Sequence, residues 1–254
     1  MQIEGTSSIG LVRQNNQDRF AIIRHPELTN LTGCVVCDGV GGSNAGEVAA
    51  SIAVEEFVKQ FREIKEYHSL KDLKEWILKH LELINEKIYN LAHNNLQFEG
   101  MSTTMVATII SEFGTLYLNI GDSRIYIVDK QNDLRLITND HSLVFDMILK
   151  GSITTQEAKS HPLRNAVTNA LGIYKKLRID LNELKLPYRH MLLCSDGLHG
   201  YVDEAQIQQI LLNETLSVRQ RVIALVNEAE KVGGPDNITL VIVDTDSQGG
   251  KHGT

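Results

Sequence analysis

Two apolar segments of this chain end in the same way. Cys34-Val35-Val36-Cys37 runs into Asp38-Gly39, and Met191-Leu192-Leu193-Cys194-Ser195 runs into Asp196-Gly197. A third acid, Asp236, stands at the mouth of the apolar run from Ile238 to Val243, and Asp18 precedes Phe20-Ala21-Ile22-Ile23. Four aspartates at strand ends, gathered in one place, each raise the cost of ionising the others. A divalent cation offsets that cost, and donors that are all oxygen select a hard ion, Mg²⁺ or Mn²⁺, over zinc. Any one Asp-Gly alone is a common turn, so the cation reading rests on the repetition.

Other short motifs carry less. Gly39-Val40-Gly41-Gly42-Ser43-Asn44-Ala45-Gly46 is glycine-rich, but it lacks the Gly-Lys-Ser/Thr ending of a Walker A loop and misses the G-x-G-x-x-G spacing. A tight backbone turn beside a metal uses it better. Leu193-Cys194-Ser195-Asp196-Gly197 has no glycine at the first position of G-x-S-x-G. Asp140-His141-Ser142, adjacent in sequence, are poorly placed to aim at one another as a triad. Cys34 and Cys37 match C-x-x-C, but on a strand an offset of three sends side chains to opposite faces. They read, with Cys194, as small buried hydrophobes.

The elements that carry these residues follow from the hydrophobic period. Short strands are expected at about 2–9, 19–25 and 32–37. Val54, Phe57, Val58 and Phe61 recur at i, i+3, i+4 and i+7, the stripe of a helix with one buried face. Leu70, Leu73, Ile77, Leu81, Ile84, Ile88 and Leu91 make a second stripe. Its heptad-like spacing would suit a coiled-coil dimer, but two amphipathic helices covering one sheet explain it more simply. From about 102 the pattern returns to strands: Leu116, Leu118 and Ile120 alternate with Tyr117 and Asn119. Gly121-Asp122-Ser123-Arg124 is turn chemistry before Ile125-Tyr126-Ile127-Val128. Residues 139–165 are mixed, with short helical pieces, and read as an insertion over the surface. Strands near 177–186 and 190–195 follow, then two helices opening at the capping boxes Asp203…Gln206 and Ser217…Gln220, and a last strand over 238–243. Residues 245–254 read as a disordered tail. Hairpin connections outnumber helical crossovers, which argues against a doubly wound parallel sheet and for an antiparallel sheet pair with helices on its outer faces.

The 254 residues include 32 acidic and 25 basic side chains, and no dense Lys/Arg cluster offers a nucleic acid its usual basic face. With only four prolines and no Ser/Gly/Pro-rich break, residues 1–244 read as one domain. The first residues lack the basic-then-apolar pattern of a signal peptide, and no apolar run reaches the roughly 18–20 residues of a membrane helix. The expectation is a cytoplasmic chain with no membrane insertion.

Taken in order, the motifs resemble the metal-dependent protein phosphatase family, type 2C, in its compact bacterial form. Gly10-Leu11-Val12-Arg13-Gln14-Asn15-Asn16-Gln17-Asp18 is similar to the family's opening motif, and Asp38-Gly39-Val40-Gly41-Gly42 followed by Ala45-Gly46-Glu47 to its second. Ser102-Thr103-Thr104, Gly121-Asp122-Ser123-Arg124, Asp140-His141-Ser142, His161-Pro162-Leu163-Arg164-Asn165, Ser195-Asp196-Gly197 and Asp236-Asn237 follow in the family's order, so the resemblance spans Gly10 to about Val243. It implies an α+β fold, a four-layer α-β-β-α sandwich of two mainly antiparallel sheets flanked by helix pairs, with 139–165 as a flap.

The resemblance also implies roles. Asp38 would bridge two core cations, Mn²⁺ or Mg²⁺, and the Gly39 carbonyl would bind one of them. Asp196 and Asp236 would complete the first ion's shell, with Asp18 acting near it through water. Asp122, with Asp196, would match a third, weaker and more exposed cation site. Arg13 would grip the substrate phosphate through a bidentate fork. The implied reaction is hydrolysis of phosphoserine and phosphothreonine in proteins by direct attack of a hydroxide bridging the two cations, without a phosphoenzyme. Implied partners are phosphorylated proteins and, by analogy, a cognate Ser/Thr kinase, the enzyme itself being a monomer.

Two positions depart from the family pattern. Gln17 stands where many relatives carry Glu, and Val40 follows Gly39 where some carry a histidine proposed as general acid, which leaves the source of the leaving-group proton open. Two competing readings are a pseudophosphatase that binds phosphoproteins without turnover and a divalent-cation-binding protein without phosphate chemistry. The joint presence of Asp38, Asp196 and Asp236 argues against the first. Arg13 and the long insertion have no place in the second.

Overall fold

The computed structural model describes residues 1–41 and 45–246. The chain runs β1 (Gln2–Ser8), β2 (Arg19–Arg24), β3 (Thr32–Cys37), β4 (Gly39–Val40), α1 (Ala45–Arg62) and α2 (Leu70–Asn94). There follow β5 (Ser102–Thr103), β6 (Met105–Ser111), β7 (Gly114–Ile120), β8 (Arg124–Asp129) and β9 (Leu134–Leu136). After α3 (Leu143–Leu149) and α4 (Thr155–Lys159) come β10 (Asp180–Leu184), β11 (Tyr188–Cys194), α5 (Asp196–His199), α6 (Glu204–Leu211), α7 (Val218–Lys231) and β12 (Ile238–Asp244). One five-stranded sheet has the order β1-β12-β11-β8-β9, the other β10-β7-β6-β3-β2, and β4 pairs with β5. These pairings are antiparallel.

Alternation along the strands sorts their side chains into separate cores. On β3, Cys34 and Val36 face the other sheet, where they join Ile125, Ile127, Met191, Leu193 and Val241. Val35 and Cys37 face the other way, onto Phe57, Phe61, Leu73, Ile77 and Leu81 of α1 and α2. The two cysteines therefore lie on opposite faces as expected, both as free thiols. On the far side Tyr126, Leu192, Leu240 and Ile242 pack against Leu198, Ile207 and Leu225 of α5, α6 and α7. The layers are helix, sheet, sheet, helix, as the resemblance implies. The two helical stripes cover one sheet, with the rings of Phe57, Phe61 and Trp76 6.0 to 6.2 Å apart between them. Helix α1 opens on buried Ala45, Gly46, Ala49, Ala50 and Ala53, small residues that let its first turns seat closely against the end of the sandwich.

Several local expectations change. Ser217 and Gln220 form their capping box, but Asp203 stands before α6 without a side-chain cap, and the Gln206 amide, the other half of the expected box, donates to Glu228 on α7. Thr245 and Asp246, expected in the disordered tail, are tied down: Thr245 N donates to Arg189 O at 2.9 Å, and Asp246 pairs with Lys130 and Arg189. The rest of the expected tail, 247–254, lies outside the described residues. The expected insertion at 139–165 carries α3 and α4 and is tied at its base, where Leu143 N meets Ala166 O at 2.9 Å and Thr168 N meets His141 O at 2.8 Å. Among the described residues no helix is long and apolar enough to cross a membrane.

Candidate functional site

Strand register brings five of the predicted acids to one end of the sandwich. Cys37 on β3 pairs with Arg19 on β2, which sets Asp38 beside Asp18. Cys194 on β11 pairs with Leu240 on β12, so Asp196 lies next to Asp236, which precedes that strand. The same Cys194 pairs with Arg124 on β8, two residues after Asp122.

Their electrostatics follow from that gathering. Burial, and then the charges of Asp18, Asp196, Asp122 and Asp236, hold the Asp38 carboxyl well above the ordinary carboxylate range. Burial raises Asp18 to about 7, with Asp196 and Asp236 adding to it against hydrogen bonds from Ser195 and Thr239. Asp196 is raised to about 6 by burial and then by Asp236, and Asp122 rises well above its usual range through burial and then Asp196. Asp38 and Asp196 still keep part of their surface open. Asp122 is buried, 8% exposed. Arg13 answers this charge from above. Its Nη2 donates to Asp236 Oδ2 at 2.8 Å, that hydrogen bond raises its own pKa, and its side chain stays 52% exposed.

The backbone beneath the acids is tightly packed. A Cβ at residue 39 would stand 2.2 Å from Gly46 O and 2.7 Å from Gln17 O, and one at residue 197 would stand 1.9 Å from Asn237 O. The glycine after each acid thus permits a close approach of two chains, over and above any turn. Thr103 Oγ1 and Thr104 N donate to Asp38 O at 2.8 and 2.9 Å, and Thr104 Oγ1 accepts from Asp38 N at 3.0 Å. Thr104 Oγ1 also bonds Ser123 Oγ at 2.8 Å, which links the Asp38 and Asp122 turns. Ser195 Oγ donates to Asp18 Oδ2 at 2.7 Å and accepts from Thr239 N at 3.0 Å. The pair Arg124–Asp140, two bonds of 2.9 and 2.7 Å, braces the strand behind Asp122. His199 Nε2 lies 3.0 Å from Asp122 O, so that nitrogen carries the proton; burial lowers its pKa to about 3 and keeps the ring neutral. The supporting roles of Ser195, Ser123, Asn237 and His199 were not read from the sequence. Only the polar residues beside each Asp-Gly hinted at them, and His199 had no signal at all.

The donor set suits a hard divalent cation. It is all oxygen, and five carboxylates face one guanidinium. The charges of Asp18, Asp196, Asp122 and Asp236 all bear on Asp38, a repulsion that a cation among them would relieve. Among the described residues no three His, Cys, Asp or Glu side chains are gathered as a finished shell; Arg13 holds Asp236 instead. A recess of about 200 Å³ beside the acids is lined by Arg13, Gln14, Asn15, Gln17, Gly41 and Asn237. A larger groove of about 480 Å³ is lined by Val54, Glu55, Val58, Lys59 and Arg62 of α1 and by Glu63 after it, away from the five aspartates.

Comparison with known proteins agrees with this geometry. Residues 5–235 match the protein phosphatase 2C family. The chain is 33% identical over 249 residues to the serine/threonine phosphatase stp of Listeria innocua, covering 96% of each. It is similar in structure to the serine/threonine phosphatase Stp1 of Staphylococcus aureus, with a TM-score of 0.88, 31% identity, and 96% of this chain and 94% of that one covered. The S. agalactiae serine/threonine phosphatase gives a TM-score of 0.88 at 31% identity, over 95% of this chain and 98% of that one.

Proposed function

The chain belongs to the protein phosphatase 2C family of metal-dependent enzymes and is a protein serine/threonine phosphatase; from that premise we propose how its residues do the work. Asp38, the Gly39 carbonyl, Asp196 and Asp236 would hold two core cations, Mn²⁺ or Mg²⁺, with Asp18 beside them and Asp122 sharing a third, weaker site with Asp196. The observation that carries this reading is the strand register that brings Asp18, Asp38, Asp122, Asp196 and Asp236 to one end of the sandwich, where burial raises the carboxyls of Asp18, Asp38, Asp122 and Asp196. Bound there, such cations lower the pKa of water and draw charge from phosphoryl oxygens.

The chain's own nucleophiles are held back. Burial pushes the Cys194 thiol up to about 12 and the Cys37 thiol well above its usual value. The Ser195 hydroxyl is engaged by Asp18 and Thr239. Water is therefore the nucleophile, attacking phosphorus directly. Arg13, which pairs with Asp236, would turn to the phosphate, where its fork can take two equatorial oxygens, and Asp236 would then have that oxygen free to hold a cation. Both sheets contribute acids, which supports treating residues 1–244 as one catalytic domain. Its partners are phosphorylated proteins, and a serine/threonine kinase must supply them.

The test is phosphate release from a phosphothreonine peptide with Mn²⁺, repeated with excess chelator. Release that chelator abolishes supports the reading. A chain that binds the peptide but releases no phosphate would be a phosphoprotein-binding module instead.

A further inference from the structure

We propose that Asn237 is a positioning residue that sets Arg13 against the substrate phosphate by fixing the loop that carries it; the inference rests on the phosphatase reading above. Residues 9–18 contain no helix or strand, yet the loop is tied down. Asn237 is 6% exposed and directs its whole amide at this segment. Its Oδ1 accepts from Gln17 N at 2.9 Å, and its Nδ2 donates to Ile9 O and Asn15 O, both at 3.0 Å. The three bonds bracket Arg13 from both sides in the chain.

The start of the loop lies directly on the backbone beside Asn237. Gly10 has φ +74°, and a Cβ there would stand 2.2 Å from Asp236 O. Leu11 N donates to Gly234 O at 2.8 Å. The Arg13 side chain is half exposed, so its aim depends on the backbone beneath it more than on packing around it. An asparagine suits the task because one amide donates twice and accepts once, which matches two carbonyls and one N–H of a loop that has no ladder to join. Asp236 keeps its own support in any variant, since its Oδ1 accepts from the backbone N–H of residue 237 at 2.9 Å.

The experiment is a double-mutant cycle on the full chain with Mn²⁺ and a phosphothreonine peptide, read together with calorimetric Mn²⁺ titration and amide hydrogen exchange. Asn237→Ala should lower kcat/KM by roughly tenfold, chiefly through KM, with Mn²⁺ affinity unchanged. In an Arg13→Ala background the same substitution should change almost nothing, because no guanidinium is left to aim. Exchange at the Gln17 amide should quicken in Asn237→Ala while amides of β12 stay protected. Effects that multiply, Mn²⁺ affinity that falls in step with activity, or unchanged exchange at Gln17 would overturn the inference. If Asn237→Ala does not fold, Asn237→Ser keeps a hydroxyl for one of the three bonds and is judged by the same outcomes. A wild-type chain that releases no phosphate would remove the phosphatase reading and this inference with it. A multiplicative cycle on an active enzyme removes this inference alone.

Discussion

Replacing Asp18 by asparagine should stabilise the cation-free chain in mild alkali, a gain that cations should shrink or reverse. Asp18 is 2% exposed, and its carboxyl is raised from 3.8 to about 7, first by burial. A carboxyl raised on folding stabilises the fold in its protonated form. That contribution is complete below the ordinary carboxylate range and is lost as pH rises through about 7. At about 1.4 kcal/mol for each tenfold change in proton affinity, the loss reaches on the order of 4 kcal/mol near pH 8. Asparagine keeps the shape and an oxygen for the Ser195 hydroxyl, now 2.7 Å from Asp18 Oδ2, and carries no charge. Urea unfolding in chelator should therefore show Asp18→Asn more stable than wild type by up to ~4 kcal/mol near pH 8, by ~2 kcal/mol near pH 5, and by little near pH 4. Comparing the two chains at each pH cancels His199, whose pKa, lowered to about 3 by burial, makes stability fall as pH drops below the ordinary histidine range. Saturating Mn²⁺ should shrink or reverse the advantage, because the ionised Asp18 then faces positive charge. An Asp18→Asn chain no more stable than wild type near pH 8 in chelator would mean that the protein itself neutralises these acids. The physical ground for a cation would then be gone.

Other substitutions probe separate parts of the site. Arg13→Ala should raise KM for phosphopeptides and lower kcat, and Arg13→Lys should restore only part, since lysine keeps the charge and loses the fork; steady-state kinetics decides, and unchanged kinetics would leave Arg13 as a surface ion pair with Asp236. Asp122→Ala should fold and keep the two core cations by calorimetry, yet lose more activity on phosphothreonine peptides than on an aryl phosphate, whose leaving group departs without a proton. Equal losses on both substrates would reject a role for this site in protonating the leaving oxygen. Gly197→Ala should lower stability by ~1–3 kcal/mol or more in thermal unfolding, because its Cβ would stand 1.9 Å from Asn237 O.

Much of the frame was legible because burial is periodic. The alternation of Cys34 and Val36 against Val35 and Cys37 is the sandwich in miniature, and the stripes at Val54 to Phe61 and Leu70 to Leu91 are the helices that cover one sheet. The acids were legible for a related reason. Polar residues that end apolar strands lie at the same end of the sheets once the strands pair, and register then brings Asp18, Asp38, Asp196 and Asp236 together. What escaped depends on contacts between distant segments. The Asp-Gly pairs looked like turns, but Gly197 is set by a carbonyl 40 positions later, that of Asn237. Asp203 has a good capping sequence, yet its side chain makes no cap and its expected partner Gln206 bonds Glu228 on another helix. The two-residue strands β4 and β5 are too short to show a period, and Asn237 gives no sign in sequence of the three bonds it makes to the Arg13 loop.

The most direct measurement is turnover of a phosphothreonine peptide by Asp38→Asn at saturating Mn²⁺, with circular dichroism to confirm its fold. Asp38 feels the charge of every other acid in the recess, so removing its charge while keeping its shape should abolish phosphate release and weaken Mn²⁺ binding in a chain that still folds. Wild-type turnover from a folded Asp38→Asn enzyme with Mn²⁺ bound would contradict the account.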